Sequence, residues 1–404
     1  MDTLKPNPDS HLVYVLVDMG LTLDNSPVFQ SQVLDKIRIQ REARIQVTVI
    51  TTIDNPSRFE KVINAPLREL GVPVYSFPDK GLLRNLFSAR RDLRFVFSKN
   101  GPIHIYARGI WGAIVHWMAF PLRGPDLIYD FRGDVVAEAA ALGASRMRQG
   151  LLKSLCRMAF SRATTVLTVS KASTAILASE YGVSNCVVFP SAVDAGWFQR
   201  AASNRDPTRE ALRVEVGDIL LVYAGSLSHY QMIPEMLETW RELSRLPHVH
   251  FLLLTSQQPA SGRHPSLDLV SEIPRLTHAS VPRSEMPSYL AAADIGFLLR
   301  EEDPLNVVAS PVKFGEYLAA GLAVVTSPGL GDVSQMVRNR NLGVLVRPKE
   351  KPETVFACLD LVRQVVKDRD GFRLRARRAV EEEQLDLRSH AEMWLSLLRN
   401  KAAQ

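Results

Sequence analysis

Short apolar segments alternate with longer amphipathic segments along most of this 404-residue chain. Segments such as His11–Val17, Ile45–Thr51 and Ile219–Tyr223 are rich in Val, Ile and Leu, as strands buried on both faces are. Repeated strand–helix alternation predicts parallel sheets covered by helices on both sides. Because the chain is too long for one ordinary core, we expect two α/β domains of the doubly wound, Rossmann-like type.

The alternation breaks near residues 194–198, and the polar stretch Arg200–Thr208 has the composition of an interdomain linker. The sequence therefore predicts a first domain over residues 1–199 and a second over 200–372. Residues 373–404 are predicted to form a helical tail that packs back on the first domain. The two domains are expected to face a central cleft, since open α/β sheets bind ligands at the carboxyl ends of their strands.

The charge balance, 49 Lys+Arg against 43 Asp+Glu, gives a net charge of +6 that favours acidic ligands or anionic surfaces. Three widely spaced cysteines build neither a disulfide framework nor a metal site, which indicates a reducing cytoplasm. No signal peptide and no apolar run of membrane-spanning length is visible, so membrane contact is expected to be peripheral at most. Nucleic acid is not expected as a partner, because the basic residues do not interleave with stacking aromatics.

The segment Ser310–Asp332, SPVKFGEYLAAGLAVVTSPGLGD, carries the most chemistry. Lys313 and Glu316 are three residues apart and share one face of a helix. A buried strand and a glycine-rich turn follow, so one unit presents a cation, a carboxylate and exposed amides. That set suits a ligand with phosphate and vicinal hydroxyls, such as a nucleotide sugar. The alternative is an amphipathic helix with an exposed ion pair.

A second candidate lies where Ala224, Gly225 and Ser226 leave a predicted strand, shortly before a helix that starts near Pro234. Backbone amides at the start of a helix can hold an anion without a dedicated cation. The alternative is a plain β–α turn that needs small residues.

The order and spacing of several motifs resemble the GT-B-fold retaining glycosyltransferases, a group with many bacterial polysaccharide and lipopolysaccharide enzymes. The matching segments are PSAVDAGWF (190–198), VYAGSL (222–227), VPRSEMPSYLAAADIGFL (281–298) and the Lys313/Glu316 segment described above. The resemblance implies a nucleoside diphosphate sugar donor, retention of anomeric configuration, and no bound metal or cofactor. Glu316 would accept hydrogen bonds from the ribose hydroxyls, and Lys313 would neutralise the departing diphosphate.

The chain departs from the common pattern of this family at three positions. Ser226 and Gln231 stand where cations are usual, and Val308 stands where a glutamate is usual. Arg300 is interpreted as a replacement cation, because a guanidinium can grip phosphate with two hydrogen bonds; the alternative is a solvated loop charge. The expected donor-binding residues are Gly225, Ser226, Arg300, Glu316, Gly329, Leu330 and Gly331.

The first domain is expected to bind the acceptor. Gly20, in the loop after the first strand, and Arg108, after another strand, are the candidate acceptor-binding residues. Asp130 and Arg132 of the DFRG segment are assigned to catalysis together with Lys313. The family often has a histidine just before the aspartate, but Tyr129 occupies that place here.

Two segments of this domain, Lys80–Lys99 and Arg146–Arg162, mix basic residues with Leu, Met and Phe. A basic amphipathic helix can lie in an anionic headgroup layer; the alternative is a surface helix that packs its apolar side on its own sheet. A membrane-surface role would fit a lipid-linked acceptor and a peripheral place on the inner face of the plasma membrane.

These features together predict a cytoplasmic glycosyltransferase that moves a sugar to a glycan or lipid-linked acceptor of cell-surface polysaccharide synthesis. Two other functions stay open: a sugar-nucleotide epimerase of the same architecture, and a non-catalytic protein that binds nucleotide sugars.

Overall fold

The computed structural model describes residues 11–17, 29–100, 103–256 and 265–399. The chain divides into two compact units: the first comprises Met1–Pro190 and Leu387–Gln404, and the second comprises Ser191–Asp386. The boundary therefore lies before the predicted one at residue 199. Residues 373–386, predicted as part of the tail, belong to the second unit, and the part of the tail that belongs to the first unit starts at Leu387.

The predicted linker is wrong as well, because residues 200–208 are helical and belong to the second unit. Their polar side chains have partners that the local sequence does not reveal. Arg205 donates to the carbonyls of Ala291, Ala292 and Ala293, and to Asp294 at 2.6 Å. These bonds hold the segment against the end of a distant helix.

The first unit contains, among the described residues, a seven-stranded parallel sheet in the order β3-β2-β1-β4-β5-β6-β7. The two strands predicted above for this unit, His11–Val17 and Ile45–Thr51, are present, with bounds within two residues of the expected ones. The strands are β1 His11–Leu16, β2 Gln46–Ile53, β3 Val74–Pro78, β4 His104–Arg108, β5 Asp126–Asp130, β6 Thr165–Thr168 and β7 Cys186–Val188. The α-helices are α1 Asp35–Glu42, α2 Pro56–Phe59, α3 Ala65–Glu69, α4 Leu82–Asn100, α5 Ile110–Ala119, α6 Val135–Ala141, α7 Arg146–Arg162, α8 Lys171–Tyr181 and α18 Leu387–Arg399.

Alternate residues of β1 enter two different cores, as period-two side chains of a strand covered on both faces must. Val13 and Val15 pack with helices α4 and α5. Leu12 and Tyr14 pack on the other face, with α1 and with Trp394 of α18. The Trp394 ring lies 5.6 Å from the Tyr106 ring, so the last helix completes the core of the first unit.

The second unit contains, in the part of the chain that the structure describes, a six-stranded parallel sheet in the order β10-β9-β8-β11-β12-β13. Its strands are β8 Ile219–Ala224, β9 Val249–Leu254, β10 Leu276–Ala279, β11 Ile295–Leu298, β12 Ala323–Thr326 and β13 Gly343–Leu345. Its α-helices are α9 Ala195–Arg200, α10 Arg205–Ala211, α11 Ile233–Leu243, α12 Met286–Ala292, α13 Pro304–Val307, α14 Val312–Ala320, α15 Val333–Asn339, α16 Lys351–Lys367 and α17 Arg369–Glu382. Short 3-10 or π segments supplement the helices of both units; the described ones are Gln30–Leu34, Glu60–Asn64, Ala201–Asn204, His229–Gln231 and Pro265–Glu272.

Both sheets confirm the predicted doubly wound parallel architecture, and each has one point where the strand order reverses. That point lies between β1 and β4 in the first unit and between β8 and β11 in the second. Loops at the carboxyl ends of strands diverge at such a point and leave room for a ligand. The residues that end these strands are therefore the first place to look for chemistry.

Candidate functional site

The reversal point of the second unit brings together residues from β8, β11 and α14. The Lys313 ammonium, on α14, donates hydrogen bonds to the Tyr223 hydroxyl at 3.0 Å and to Gln231 Oε1 at 3.2 Å. Helix α14 starts after Pro311 and ends at the left-handed Gly321, with φ of 87°, as glycine permits. The helix buries Phe314 and its other apolar residues in the core, which leaves Lys313 at the strand ends.

The pKa of Lys313 is lowered to about 7. Burial of the ammonium is the largest cause, the charge of Arg300 adds to it, and the charge of Glu316 opposes it. An ammonium beside another cation in a poorly solvated place is stabilised by an incoming anion. This environment is therefore suited to a ligand with several negative charges.

Arg300 follows β11 and is the second cation of this place. Its guanidinium lies 4.6 Å from the centre of the Tyr230 ring. Its Nε and Nη1 atoms are buried and hydrogen-bonded to no described residue. Buried N–H donors almost always have partners, so these two donors can serve a bound acceptor group. The Arg300 side chain is thus not the solvated loop charge of the alternative, and its role as a replacement cation stays a prediction.

Glu316 lies three residues after Lys313 on α14, and its side chain is 14% exposed. Arg283 Nη1 is 3.9 Å from Glu316 Oε1. Both residues lie on the helix Val312–Ala320, three residues apart, so the predicted pair does share one helix face. The carboxylate remains partly open to solvent.

The two glycine-containing turns are less available than expected. The Gly225 amide donates to the Leu254 carbonyl at 2.9 Å, and the Gly331 amide donates to the Asn306 carbonyl at 3.1 Å. The Leu330 amide donates to Ser334 Oγ at 3.0 Å, and the Leu330 side chain is fully buried. These three N–H groups are therefore occupied within the protein.

Gly225 and Gly329 still have a steric role in this place. A Cβ atom at Gly225 would collide with the Lys313 side chain, so the absence of a side chain is what admits the ammonium. At Gly329, with φ of +75°, nothing lies within 4 Å of such an atom, so backbone is open there. Ser226, next to Gly225, places its hydroxyl 3.1 Å from Ser228 Oγ.

The reversal point of the first unit carries a second cluster, centred on Asp130. Its Oδ2 atom accepts hydrogen bonds from Arg132 Nε at 2.7 Å and from the Tyr106 hydroxyl. Arg108 Nη1 lies 3.8 Å from the same oxygen. Arg108 and Asp130 end neighbouring strands and are directly paired in the sheet register. The structure thus brings together three residues that the sequence placed in the acceptor domain. The fourth, Gly20, lies outside the described residues.

Burial alone would raise the pKa of Asp130, but the charges of Arg132, Lys36 and Arg108 outweigh burial and hold that pKa below its ordinary value. Asp130 is therefore a carboxylate at neutral pH. It suits hydrogen-bond acceptance and positioning of a hydroxyl.

Sequence reasoning missed Lys36, whose ammonium donates to the Tyr106 hydroxyl at 3.1 Å and lies 3.9 Å from Asp130 Oδ2. One signal could have found it. Phe29, Val33, Lys36 and Ile37 follow helical spacing, so this lysine falls on the apolar stripe that the helix turns to the core. A charged residue there needs a partner.

Two histidines of this unit have structural contacts. His116 Nε2 is 2.9 Å from the Pro125 carbonyl oxygen, and burial lowers the pKa of this histidine. His104 lies within β4, with Nδ1 3.6 Å from Asp126.

No three His, Cys, Asp or Glu side chains of the described residues lie close enough together to hold a metal ion. Within the same residues, no helix combines the length and apolar character needed to cross a bilayer.

Comparison with known families assigns both halves of the chain. Residues 30–192 match the model of the glycosyl transferase 4-like domain. Residues 218–364 match the model of glycosyl transferases group 1. The second match contains Arg300, Lys313 and Glu316, and the first contains Lys36, Arg108, Asp130 and Arg132. A comparison of the sequence with curated proteins finds no match.

Solved structures share the fold over nearly the full length. Alr3699/HepE from Anabaena, in complex with UDP and glucose, has a TM-score of 0.71 at 15% identity, covering 96% of this chain and 100% of that one. Sucrose-phosphate synthase from Thermosynechococcus elongatus has a TM-score of 0.67 at 14% identity, with 97% and 99% covered. WaaG, a glycosyltransferase involved in lipopolysaccharide biosynthesis, has a TM-score of 0.65 at 15% identity, with 96% and 99% covered. The chain therefore belongs to the GT-B glycosyltransferases, with a glycosyl transferase 4-like domain followed by a glycosyl transferases group 1 domain.

Proposed function

We propose that this chain transfers a sugar from a nucleoside diphosphate sugar to a hydroxyl group, with retention of anomeric configuration and without a metal ion. The observation that supports this most is the cation pair Arg300 and Lys313 at the reversal point of the group 1 domain. Arg300 has two buried donors without a described partner, and Lys313 has a pKa lowered to about 7. A bound diphosphate would supply acceptors for the Arg300 donors and would stabilise the charged form of Lys313.

Each residue has a role that follows from its chemistry. Arg300 and Lys313 bind the diphosphate, and Glu316 accepts hydrogen bonds from the ribose. In the transfer, the C1–oxygen bond to the diphosphate breaks, and its electron pair stays on the phosphate oxygen. The acceptor oxygen bonds to C1, and its proton passes to the departing diphosphate. Lys313 stabilises the charge that develops on the leaving oxygen, which is the electrostatic part of the catalysis.

The first unit would bind the acceptor, with Asp130 as the group that positions its hydroxyl and Arg108 and Arg132 beside it. UDP-sugars are the first donors to test, because UDP is bound in the Anabaena structure of the same fold. A role in cell-surface polysaccharide synthesis fits the similarity to WaaG and is part of the proposal.

The test is isothermal titration with UDP, GDP and ADP, on the wild type and two variants. Arg300→Gln removes the proposed diphosphate donor. Arg338→Gln is the matched control, since Arg338 is an exposed arginine of the same unit. We expect Arg300→Gln to weaken binding of the preferred diphosphate by about 1.5–3 kcal/mol, to leave the free nucleoside unaffected, and Arg338→Gln to change neither.

Turnover with the matching nucleotide sugar then separates the rival functions. Transfer to a hydroxyl acceptor, with the anomeric configuration read by NMR, supports the proposal. Isomerisation of the donor without acceptor would favour an epimerase, and binding without turnover would favour a non-catalytic protein. No binding of any nucleotide would remove the proposal.

A membrane-surface role for the first unit has specific support in exposed apolar side chains. On α4, Leu86 and Leu93 pack in the core, whereas Leu83 and Phe87 are 71% and 59% exposed. On α7, Met147 is 85% exposed. Part of the apolar surface of these helices is therefore not buried in the core. Together with their many arginines, these residues would suit an anionic headgroup layer.

Co-sedimentation with vesicles of phosphatidylglycerol at low salt tests this role. The double variant Leu83→Ser, Phe87→Ser should reduce binding, while Phe356→Ser, which removes a 70% exposed phenylalanine of the second unit, should not. Equal binding by all three proteins, or none by the wild type, would contradict it.

A further inference from the structure

Within the described part of the first unit, the Asp130 cluster has more cations than its carboxylate can neutralise. Lys36, Arg108 and Arg132 all lie within 4 Å of Asp130 Oδ2, at 3.9, 3.8 and 2.7 Å. The neighbouring carboxylate of Asp35 pairs instead with Arg38, at 3.1 Å. Among the residues that the structure describes, three cations therefore face one carboxylate here, a surplus of two positive charges.

The residues that carry this surplus positive charge are largely buried. The side chains of Lys36 and Asp130 are 5% and 1% exposed, and those of Arg108 and Arg132 are each 16% exposed. Lys36 and Asp130 are thus the most buried residues of the cluster, and the two arginines are its more exposed ones. Burying like charges together is costly unless something neutralises them.

Two buried polar atoms of the cluster have no hydrogen-bond partner among the described residues. One is Asp130 Oδ1, an acceptor, and the other is Arg108 Nη1, a donor. The remaining bonds are well made: Arg108 Nη2 donates to Gln32 at 2.7 Å, and Tyr106 links Lys36 to Asp130 Oδ2. A ligand that both donates and accepts would complete the set.

The protonation of Lys36 responds to the same surplus. Burial, and next the charge of Arg132, lower its pKa well below the ordinary value, while Asp130 opposes them. A bound anion would reverse that shift.

We propose that Lys36, Arg108 and Arg132 bind a phosphoryl group carried by the acceptor, and that Asp130 Oδ1 accepts a hydrogen bond from a hydroxyl of the same molecule. The inference rests on the proposed function in taking this ligand as the acceptor. A phosphate monoester carries about −1.5 to −2 charges at neutral pH, which matches the surplus. A carboxylate would leave one cation unneutralised, and a neutral sugar would leave two.

The phosphoryl group can belong to a soluble molecule or to a lipid, so the experiment has two arms. Isothermal titration is made with glycerol 3-phosphate and with farnesyl diphosphate, and glycerol serves as the uncharged control. The proteins are the wild type, Lys36→Met, Arg108→Gln and Lys61→Met. Lys61 is an exposed lysine of the same unit without a partner among the described residues, so Lys61→Met is the matched control. Arg108→Gln alters a partly exposed residue and keeps the test valid if Lys36→Met does not fold.

We expect at least one phosphorylated probe to bind the wild type and Lys61→Met equally. Its affinity should fall about tenfold or more in Lys36→Met and in Arg108→Gln. Tighter binding of glycerol 3-phosphate assigns the group to a soluble acceptor, and tighter binding of farnesyl diphosphate assigns it to a lipid. Binding that both variants retain, or no binding of either probe, overturns the proposal. Titration of the same proteins with UDP distinguishes the two proposals. The proposed donor function requires UDP or another nucleotide to bind, even if neither phosphorylated probe binds.

Discussion

The ammonium of Lys313 occupies the space that a side chain at Gly225 would need. A Cβ atom at position 225 would overlap both Nζ and Cε of Lys313. Gly225 also has φ of +147°, a conformation that L-residues with side chains rarely adopt. The turn after β8 therefore contributes by leaving room for Lys313. Its Gly225 amide is not available to a ligand, because it donates to the Leu254 carbonyl.

Gly225→Ala should displace Lys313 and lower the rate of sugar transfer. The lysine can swing away at little packing cost, because its end is flexible, but it then leaves Tyr223 and Gln231. We expect kcat to fall about a hundredfold, since misplacing a catalytic group by about 1 Å can have that effect. Steady-state kinetics measures it, and Gly182→Ala is the control. Gly182 also has positive φ, +68°, with nothing near its Cβ position. Equal activity of the two variants would contradict the steric role.

Lys313 should also make folding stability depend on pH in a defined window. Its pKa is about 7 in the folded chain against 10.5 for an ordinary lysine. Between these values the unfolded chain holds a proton that the folded chain lacks, so Lys313 makes the free energy of unfolding rise with pH from about 7 to about 10. Below pH 7 the destabilisation by Lys313 is at its full value and no longer changes with pH. The slope is at most about 1.4 kcal/mol per pH unit.

Urea unfolding of the wild type and Lys313→Met across pH 6–10 tests this, because the difference between the two removes the contribution of other groups. The variant should gain on the wild type as the pH falls from 10 to 7. A difference that stays constant with pH would show that the Lys313 ammonium is not perturbed.

Strands such as β1 and β8 were predictable because their apolar runs are nearly continuous and are followed by Gly, Pro or polar residues. Arg200–Thr208 was not, since its Asn, Asp and Pro give it the composition of a loop. Its helical state depends on Arg205 and Arg209, which bond to Asp294, some ninety residues away in the chain. Local sequence carries no trace of such partners.

The candidate sites divide in the same way. Lys313 and Glu316 were predictable from spacing on one helix, and Asp130 and Arg132 from their place at a strand end. Lys36 joins Asp130 only because β1, β4 and β5 are adjacent in the sheet and α1 covers that face. Similarly, the amides of Gly225 and Gly331 looked available until the carbonyls opposite them were known.

Glu316→Gln should weaken nucleotide binding through the ribose hydroxyls. Hydrogen bonds to a charged group contribute about 1.5–3 kcal/mol, so we expect a loss of that size for the diphosphate nucleotide. The wild type should bind the 2′,3′-dideoxy nucleotide more weakly than the ordinary nucleotide by the same amount. The Glu316→Gln variant should bind the two nucleotides equally. Isothermal titration over this cycle, with exposed Glu353→Gln as the control, measures the coupling. Additive losses would mean that Glu316 does not contact the ribose.

Asp294 should be essential for the stability of the second unit. This carboxylate is fully buried and lies within 4 Å of Arg205, Arg209, Arg369 and Arg373, at 2.6, 3.2, 3.3 and 3.6 Å. Removing its charge leaves buried guanidinium groups that repel one another, so Asp294→Asn should cost about 3–5 kcal/mol.

Arg373→Met provides the matched contrast. Burial and the charge of Arg205 lower the pKa of Arg373 to about 10, which shows that its charge is unfavourable where it lies. Arg373→Met should therefore lower the free energy of unfolding by less than about 1 kcal/mol, because Asp294 keeps three other arginine partners. Urea unfolding, followed by hydrogen exchange of peptides from β8 and β11, measures both variants in the same unit. If Arg373→Met were as unstable as Asp294→Asn, the cluster would depend on each ion pair separately, and excess positive charge would not govern its energetics.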